Sequence, residues 1–249
     1  MSSHIIRAAS RKISGSDGLL LHYTFEDFQH AIGSNSVTLD IVNGLPAASV
    51  DLGADVTLGT EPRRGKSVHF DGGGDSFLRA DTAGTALRVQ LDTFTVMFHC
   101  RIDANLADNF ACPLSLVEMS GTTLYRLRSF GFGSDHNYDL EIRFQDYTSG
   151  SWTTNFIASG HWQTTLGEWC HVCVTTDSTS NEVELYVNGI STRKFVSPVN
   201  IPVFILNHLA IGSNFFDGWG NMAGEIDEVR VYDRILSATE VSEIYRSVV

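Results

Sequence analysis

Short runs of β-forming residues, separated by turn residues, recur from residue 19 to residue 232. About thirteen such runs have the length and spacing typical of an all-β sandwich. In the run at residues 182–187, Val183, Leu185 and Val187 share one face, as they do in a half-buried strand. Asn188-Gly189 follows at once and precedes another run, which is the strongest short-range hairpin signal. The pattern therefore predicts an all-β fold.

One helix is predicted at the C-terminal end of the chain. Ser237 and Glu240 have the spacing of a capping box, in which each side chain accepts from the other residue's backbone N–H. The apolar residues that follow share one helical face: Val241, Ile244, Tyr245 and Val248. This helix is expected to dock on the sandwich.

The chain divides into a short arm and one domain. Residues 1–17 are polar, small and mildly basic, which is typical of an arm outside the core. Residues 18–249 contain no linker-like stretch, so we predict a single β-sandwich domain there. If the arm is ordered, a neighbouring copy of the chain or an assembly partner is expected to hold it.

The balance of charge argues against one class of partner. The chain has 29 acidic and 17 basic residues, a net charge of −12, so a phosphate backbone would be repelled on average. The first residues lack the apolar segment of a secretory signal, and no stretch is long enough to cross a membrane. We therefore expect neither nucleic-acid binding nor membrane insertion, while an extracellular surface or a virion remains a compatible location.

The cysteines do not indicate a metal or redox motif. Cys170 and Cys173 have C-x-x-C spacing but lie in a predicted strand, where residues three apart face opposite sides. They cannot easily share a metal or a disulfide, so we expect reduced thiols packed as small hydrophobic groups. A bridge between Cys100 and Cys112 stays open.

A series of segments carries a family resemblance. In chain order they are LLHYTFED (20–27), VHFDG (68–72), FTVMF (94–98), WCHVCVT (169–175), LYVNG (185–189), IG (211–212) and GEIDEVRVYDRILS (224–237). Together, over about residues 19–247, they resemble laminin-G-like, concanavalin A-like domains of the pentraxin-related type. The resemblance implies a jelly roll of two antiparallel sheets. It does not imply one function, because this fold hosts lectins, adhesion modules, enzymes and capsid parts.

The resemblance also implies a structural calcium ion between the first and last strands. The matching residues are Glu26 or Asp27 at the end of the opening strand, Asp40 and Asn43 in a turn, and Asp227. Carboxylate and amide oxygens are the ligands that calcium accepts in irregular geometry. The alternative is that Asp40 and Asn43 cap a turn and that Asp227 pairs with an arginine.

Strand parity raises a question about Asp227. This residue has the same parity as Val229 and Val231, which we expect to face the core, and an unpaired buried carboxylate is too costly. A β-bulge near Ile226 would instead turn Asp227 outward. Sequence alone leaves both arrangements open.

The acidic segment near the C-terminus resembles the start of a glycoside hydrolase motif but lacks its last acid. Glu225 and Asp227 share a face, whereas the next position on that face is Val229 and the alternative position holds Arg230. Retaining hydrolysis needs two carboxyl groups about 5–5.5 Å apart on one face. The histidines have no evident catalytic companions, so we expect no enzyme activity.

Aromatic residues in loop-like sequence could form a ligand-binding surface. An apolar platform beside directional hydrogen-bonding groups is what a sugar ring needs. The candidate ligand-binding residues are Trp152, Trp162, Trp219, Asp217, Asn221, His136 and Tyr138. The alternative is that these aromatic residues pack loops onto the sandwich or fill subunit contacts.

These observations favour a non-catalytic recognition or adhesion module whose partner is a glycan or a protein surface. The alternative is a structural component of a larger assembly, such as a virion decoration, fibre or capsid-associated protein, tethered through residues 1–17. A glycoside hydrolase or polysaccharide lyase ranks below both.

Overall fold

A computed structural model describes the chain over residues 17–28, 37–44, 46–49, 56–61, 65–73, 77–81, 88–104, 111–120, 126–134, 140–148, 151–158, 165–213 and 221–248. Across these residues the chain forms strands and one helix. The bounds are β1 (Leu19–Tyr23), β2 (Val37–Leu39), β3 (Pro46–Ser49), β4 (Val56–Glu61), β5 (Gly65–Asp71), β6 (Leu78–Asp81), β7 (Val89–Leu91), β8 (Thr93–Ala104), β9 (Ala111–Ser120), β10 (Arg126–Ser134), β11 (Leu140–Thr148), β12 (Ser151–Ala158), β13 (Trp169–Asp177), β14 (Glu182–Val187), β15 (Ile190–Val196), β16 (Phe204–Leu206), β17 (His208–Ile211), β18 (Ala223–Tyr232) and α1 (Ala238–Ser247).

Two antiparallel sheets form the sandwich, as predicted. The first sheet has the order β15-β14-β13-β8-β18-β5-β4, and β1 pairs with the second half of β18. The second sheet has the order β12-β11-β10-β9-β17-β6-β3-β2. The runs of β-forming residues seen in the sequence form strands, and β2, β3, β4, β7 and β16 add to them. Because β18 lies beside β1, β5 and β8, the first and last strands of the described chain meet within one sheet.

The core lies between the two sheets. Alternate residues of β8 point into it: Phe94, Val96, Phe98, Cys100 and Ile102. Leu114 and Leu116 of β9, in the second sheet, belong to the same buried cluster. Burying each large apolar side chain contributes about 1.5–3 kcal/mol, so this layer supplies most of the stabilisation.

Helix α1 covers part of the outer face of the first sheet, which is the face turned away from the second sheet. Val241 and Ile244 pack there with Met97, Cys173 and Tyr232. The capping box is confirmed, because Ser237 accepts from the backbone of the third helical residue and the reciprocal bond is also present. Cys173 is therefore on the outer face while Cys170 is in the core, as predicted for a strand.

The predicted hairpin turn is present and also accommodates the helix. Asn188 and Gly189 have φ angles of 49° and 75°, the left-handed values that this two-residue turn requires. A Cβ atom on Gly189 would overlap the ring of Tyr245, so glycine also lets α1 pack closely.

The predicted arm lies outside the described residues except for Asp17, so the division into arm and domain stays a prediction. Within the described part of the chain, no helix is long and apolar enough to cross a membrane.

Candidate functional site

A β-bulge in β18 decides which acidic side chains face outward. Asp227 lies opposite His99, and the register then shifts before Arg230, which lies opposite Met97. Glu228 takes up the extra residue with a φ of 52°. Ile226 before the bulge and Val229 after it both face the core, so Asp227 lies on the outer face. The inward parity expected for Asp227 is wrong for this reason, and the bulge alternative is confirmed.

Glu225 is held by a cation and a hydroxyl group. Its Oε1 accepts from Nη2 of Arg101 at 2.7 Å, and its Oε2 accepts from the hydroxyl of Ser67. The residue is only 6% exposed. A Cβ atom on Gly59 would overlap both Glu225 and Ser67, so a glycine on β4 makes room for this contact. The carboxylate is thus part of the packing between β4, β5, β8 and β18.

Glu228 joins the first and last strands through a buried polar cluster. Its Oε2 lies 2.6 Å from Nε2 of His22 and accepts from Nη2 of Arg230 at 2.5 Å. Nε of Arg230 lies 3.0 Å from the same His22 nitrogen. Burial lowers the pKa of His22, while the hydrogen bond to Glu228 acts in the opposite direction. The bulge therefore aims Glu228 at β1.

Asp40 caps a turn, as one of the two sequence interpretations proposed. Its Oδ1 accepts from the backbone N–H of His22 at 2.5 Å and of Val42 at 3.2 Å, and its Oδ2 accepts from that of Asn43 at 2.6 Å. The Asn43 side chain donates to the carbonyl of Leu20 at 2.7 Å. These bonds attach the turn to β1. A cation at Asp40 would compete with three N–H donors.

The remaining predicted metal ligands contact other parts of the fold. Glu26 accepts from the backbone N–H of Lys66 at 2.9 Å, and the Lys66 ammonium donates to the Glu26 carbonyl at 2.7 Å. Asp27 is exposed. Among the described residues, no group of three or more His, Cys, Asp or Glu side chains is placed to hold a metal ion. Structural calcium stays a prediction. A chelator should lower the melting temperature of the wild-type protein but not that of Asp227→Ala.

Two histidines pack against each other with tilted rings beneath the helix. The rings of His99 and His171, opposite each other on β8 and β13, have centroids 4.7 Å apart. Tyr245 lies over both rings at 6.3 and 5.5 Å. His99, His171 and Asp227 are each at most 2% exposed. A substrate therefore has no access to these imidazoles. Only the strand register, which the sequence does not reveal, brings them together.

The predicted ligand-binding residues are described only in part. Trp152 lies in strand β12, where its backbone pairs with that of Tyr147, so its loop assignment is wrong. Asn221 is buried and donates to the carbonyl of Gly73 at 2.7 Å, which ties it to the turn after β5. The others lie outside the described residues: His136, Tyr138, Trp162, Asp217 and Trp219.

A two-layered antiparallel sandwich whose last strand carries the Gly-Glu-Ile-Asp-Glu segment defines a lectin-like jelly roll. The chain belongs to the concanavalin A-like lectin/glucanases superfamily, because the Laminin_G_3 family model with that description matches residues 71–242. No curated protein sequence matches the chain.

Solved structures with this fold have low sequence identity to the chain. Domain 4 of AbnA, a GH43 extracellular arabinanase from Geobacillus stearothermophilus in complex with arabinotriose, is 19% identical with a TM-score of 0.60, over 91% of this chain and 98% of that one. The binding domain of Paraclostridial Mosquitocidal Protein 1 is 15% identical with a TM-score of 0.63, over 93% and 52%. Trypanosoma rangeli sialidase is 16% identical with a TM-score of 0.57, over 92% and 33%. The chain thus spans about half of the toxin domain and a third of the sialidase, and these similarities show the fold alone.

Proposed function

We propose that the protein is a non-catalytic recognition module that binds carbohydrate or a protein surface. The observation that carries this proposal is the engagement of the acidic residues on β18. Glu225 contacts Arg101 and Ser67, and Glu228 contacts His22 and Arg230. These carboxylates hold neighbouring strands together.

A glycoside hydrolase needs a different arrangement of its acids. One carboxyl group protonates the leaving oxygen and the other attacks or activates water, so both must reach a bound sugar. Glu225 and Asp227 share the outer face but are 6% and 1% exposed.

Carbohydrate is the first ligand class to test, for two reasons. The arabinanase domain that matches over nearly its whole length was solved with arabinotriose, and toxin binding domains share the fold. The sequence also places aromatic residues beside Asp and Asn, the combination that suits a sugar ring. Neither reason distinguishes a glycan from a protein partner, so the experiment must include both.

The test is a glycan array followed by calorimetric titration, with arabinotriose as the first soluble probe. Trp219→Ala and Trp162→Ala should weaken binding at least tenfold. Phe195→Ala is the matched control, because it removes an aromatic group from strand β15, where Arg193 covers the ring. Equal affinities for the three variants would contradict a binding surface formed by Trp162 and Trp219.

Two outcomes would favour the alternative functions. Release of sugar products from a polysaccharide, lost in Glu225→Gln, would overturn the non-catalytic role. Absence of glycan binding, together with loss of self-association when residues 1–17 are deleted, would support a structural component of a larger assembly.

A further inference from the structure

Two cysteines from distant parts of the sequence lie directly opposite each other in the first sheet. Cys100 of β8 and Cys170 of β13 are antiparallel partners in the register. Both side chains belong to the core cluster between the sheets, so they point to the same face.

Their spacing is compatible with a disulfide. The carbonyl of His171 accepts from the N–H of Asn188, so the backbone groups of His171 face β14 and those of Cys170 face β8. Cys100 and Cys170 therefore form a hydrogen-bonded pair, for which the Cα–Cα distance is about 5.5 Å. Disulfides span Cα distances of about 4.4–6.8 Å, although the Cβ atoms must approach by about 1 Å.

The other two cysteines have different surroundings. Cys112 lies on β9 of the second sheet, where its sulfur is 3.3 Å from the hydroxyl of Ser115. Cys173 faces outward beneath α1, opposite Met97. None of the four cysteines is in a disulfide. We propose that Cys100 and Cys170 are a redox-sensitive pair that oxidation joins as a cross-strand disulfide, independently of the proposed binding function.

A low-molecular-weight disulfide is the oxidant in this proposal. The thiolate of Cys170, the more exposed of the two at 9%, attacks it and releases one small thiolate. The sulfur of Cys100 then attacks that of Cys170, which forms the protein disulfide and releases the second small thiolate. In total, two cysteine thiols lose two protons and two electrons, and the small disulfide gains them as two thiols.

Burial sets the rate of the second step. It raises the pKa of Cys100 to about 12, so little thiolate is present at neutral pH. Closure is expected to accelerate about tenfold for each pH unit between pH 7 and 9. The bond would enclose residues 101–169, including β9 to β12, and would restrict the unfolded chain. The oxidised protein should therefore melt at a higher temperature than the reduced one.

The experiment compares protein incubated at pH 8.5 with oxidised glutathione and with dithiothreitol. We expect an intact mass lower by two hydrogens, a non-reduced proteolytic peptide pair joining Cys100 to Cys170, and reversal by dithiothreitol. Cys173→Ser is the matched control and should still form the bond, whereas Cys170→Ser should not.

The peptide map of the wild-type protein decides the proposal even if a variant fails to fold. A bridge through Cys112 or Cys173 would overturn it. A glutathione adduct that stays on Cys170 without closing, or an unchanged mass, would overturn it as well.

Discussion

Replacing Arg101 by methionine should lower the free energy of unfolding by about 2–3 kcal/mol. The change leaves the Glu225 carboxylate, whose side chain is 8% exposed, with the hydrogen bond from the Ser67 hydroxyl. Breaking a buried ion pair costs about 3–5 kcal/mol. The Arg101 side chain is 24% exposed, so water compensates in part and the expected loss falls below that range, to about 2–3 kcal/mol.

The same guanidinium offers an internal control. Arg101 also contacts Asp103 at 2.7 Å, but that carboxylate is 34% exposed. Asp103→Asn should therefore lower the free energy of unfolding by less than about 1 kcal/mol, the usual contribution of an exposed ion pair. Asp103 accepts two hydrogen bonds from the guanidinium and Glu225 accepts one, so a larger loss at Glu225 would reflect its removal from water.

Urea unfolding followed by tryptophan fluorescence measures these differences. A double-mutant cycle with Arg101→Met and Glu225→Gln should give a coupling free energy of about 1–2 kcal/mol. A coupling near zero, or equal losses for Arg101→Met and Asp103→Asn, would refute the structural role of Glu225 and reopen a catalytic one.

Three further perturbations test other parts of the fold. Gly59→Ala should lower the free energy of unfolding in urea by about 1–3 kcal/mol, because the added Cβ atom would overlap Glu225 and Ser67. A loss below about 0.5 kcal/mol, the size of a surface change, would contradict that close approach. Burial lowers the pKa of His22 in the folded state, so the stability that neutral His22 contributes is complete above pH of about 6.5 and is lost as pH falls towards the folded-state pKa. His22→Gln should make the free energy of unfolding fall less steeply between about pH 6.5 and the folded-state pKa of His22. An unchanged dependence of unfolding free energy on pH would argue against this role of His22. Ser237→Ala should cost about 1 kcal/mol through loss of the helix cap, measured by thermal unfolding, and an unchanged melting temperature would be inconsistent with the capping box.

The outcome for the acidic residues shows how far strand parity can be trusted. Counting by two from Val229 places Asp227 in the core, and that count fails because one extra residue enters the strand at Glu228. This bulge is held by a contact across strands, from Glu228 to His22 of β1, and by the contact of Glu228 with Arg230 on the same strand. No residue adjacent in sequence signals it.

Local chemistry in the sequence determined the hairpin at Asn188-Gly189, the capped helix beginning after Ser237 and the opposite faces of Cys170 and Cys173. Each depends on residues within a few positions of one another, so the side chains themselves contain the information. The family motifs extended this to a two-sheet jelly roll.

Only the tertiary structure decided which distant residues meet. His99 packs against His171 and Cys100 lies opposite Cys170 because β8 and β13 pair in one register. That register reflects the packing of both sheets, since shifting β13 by one residue would move its core side chains to the outer face.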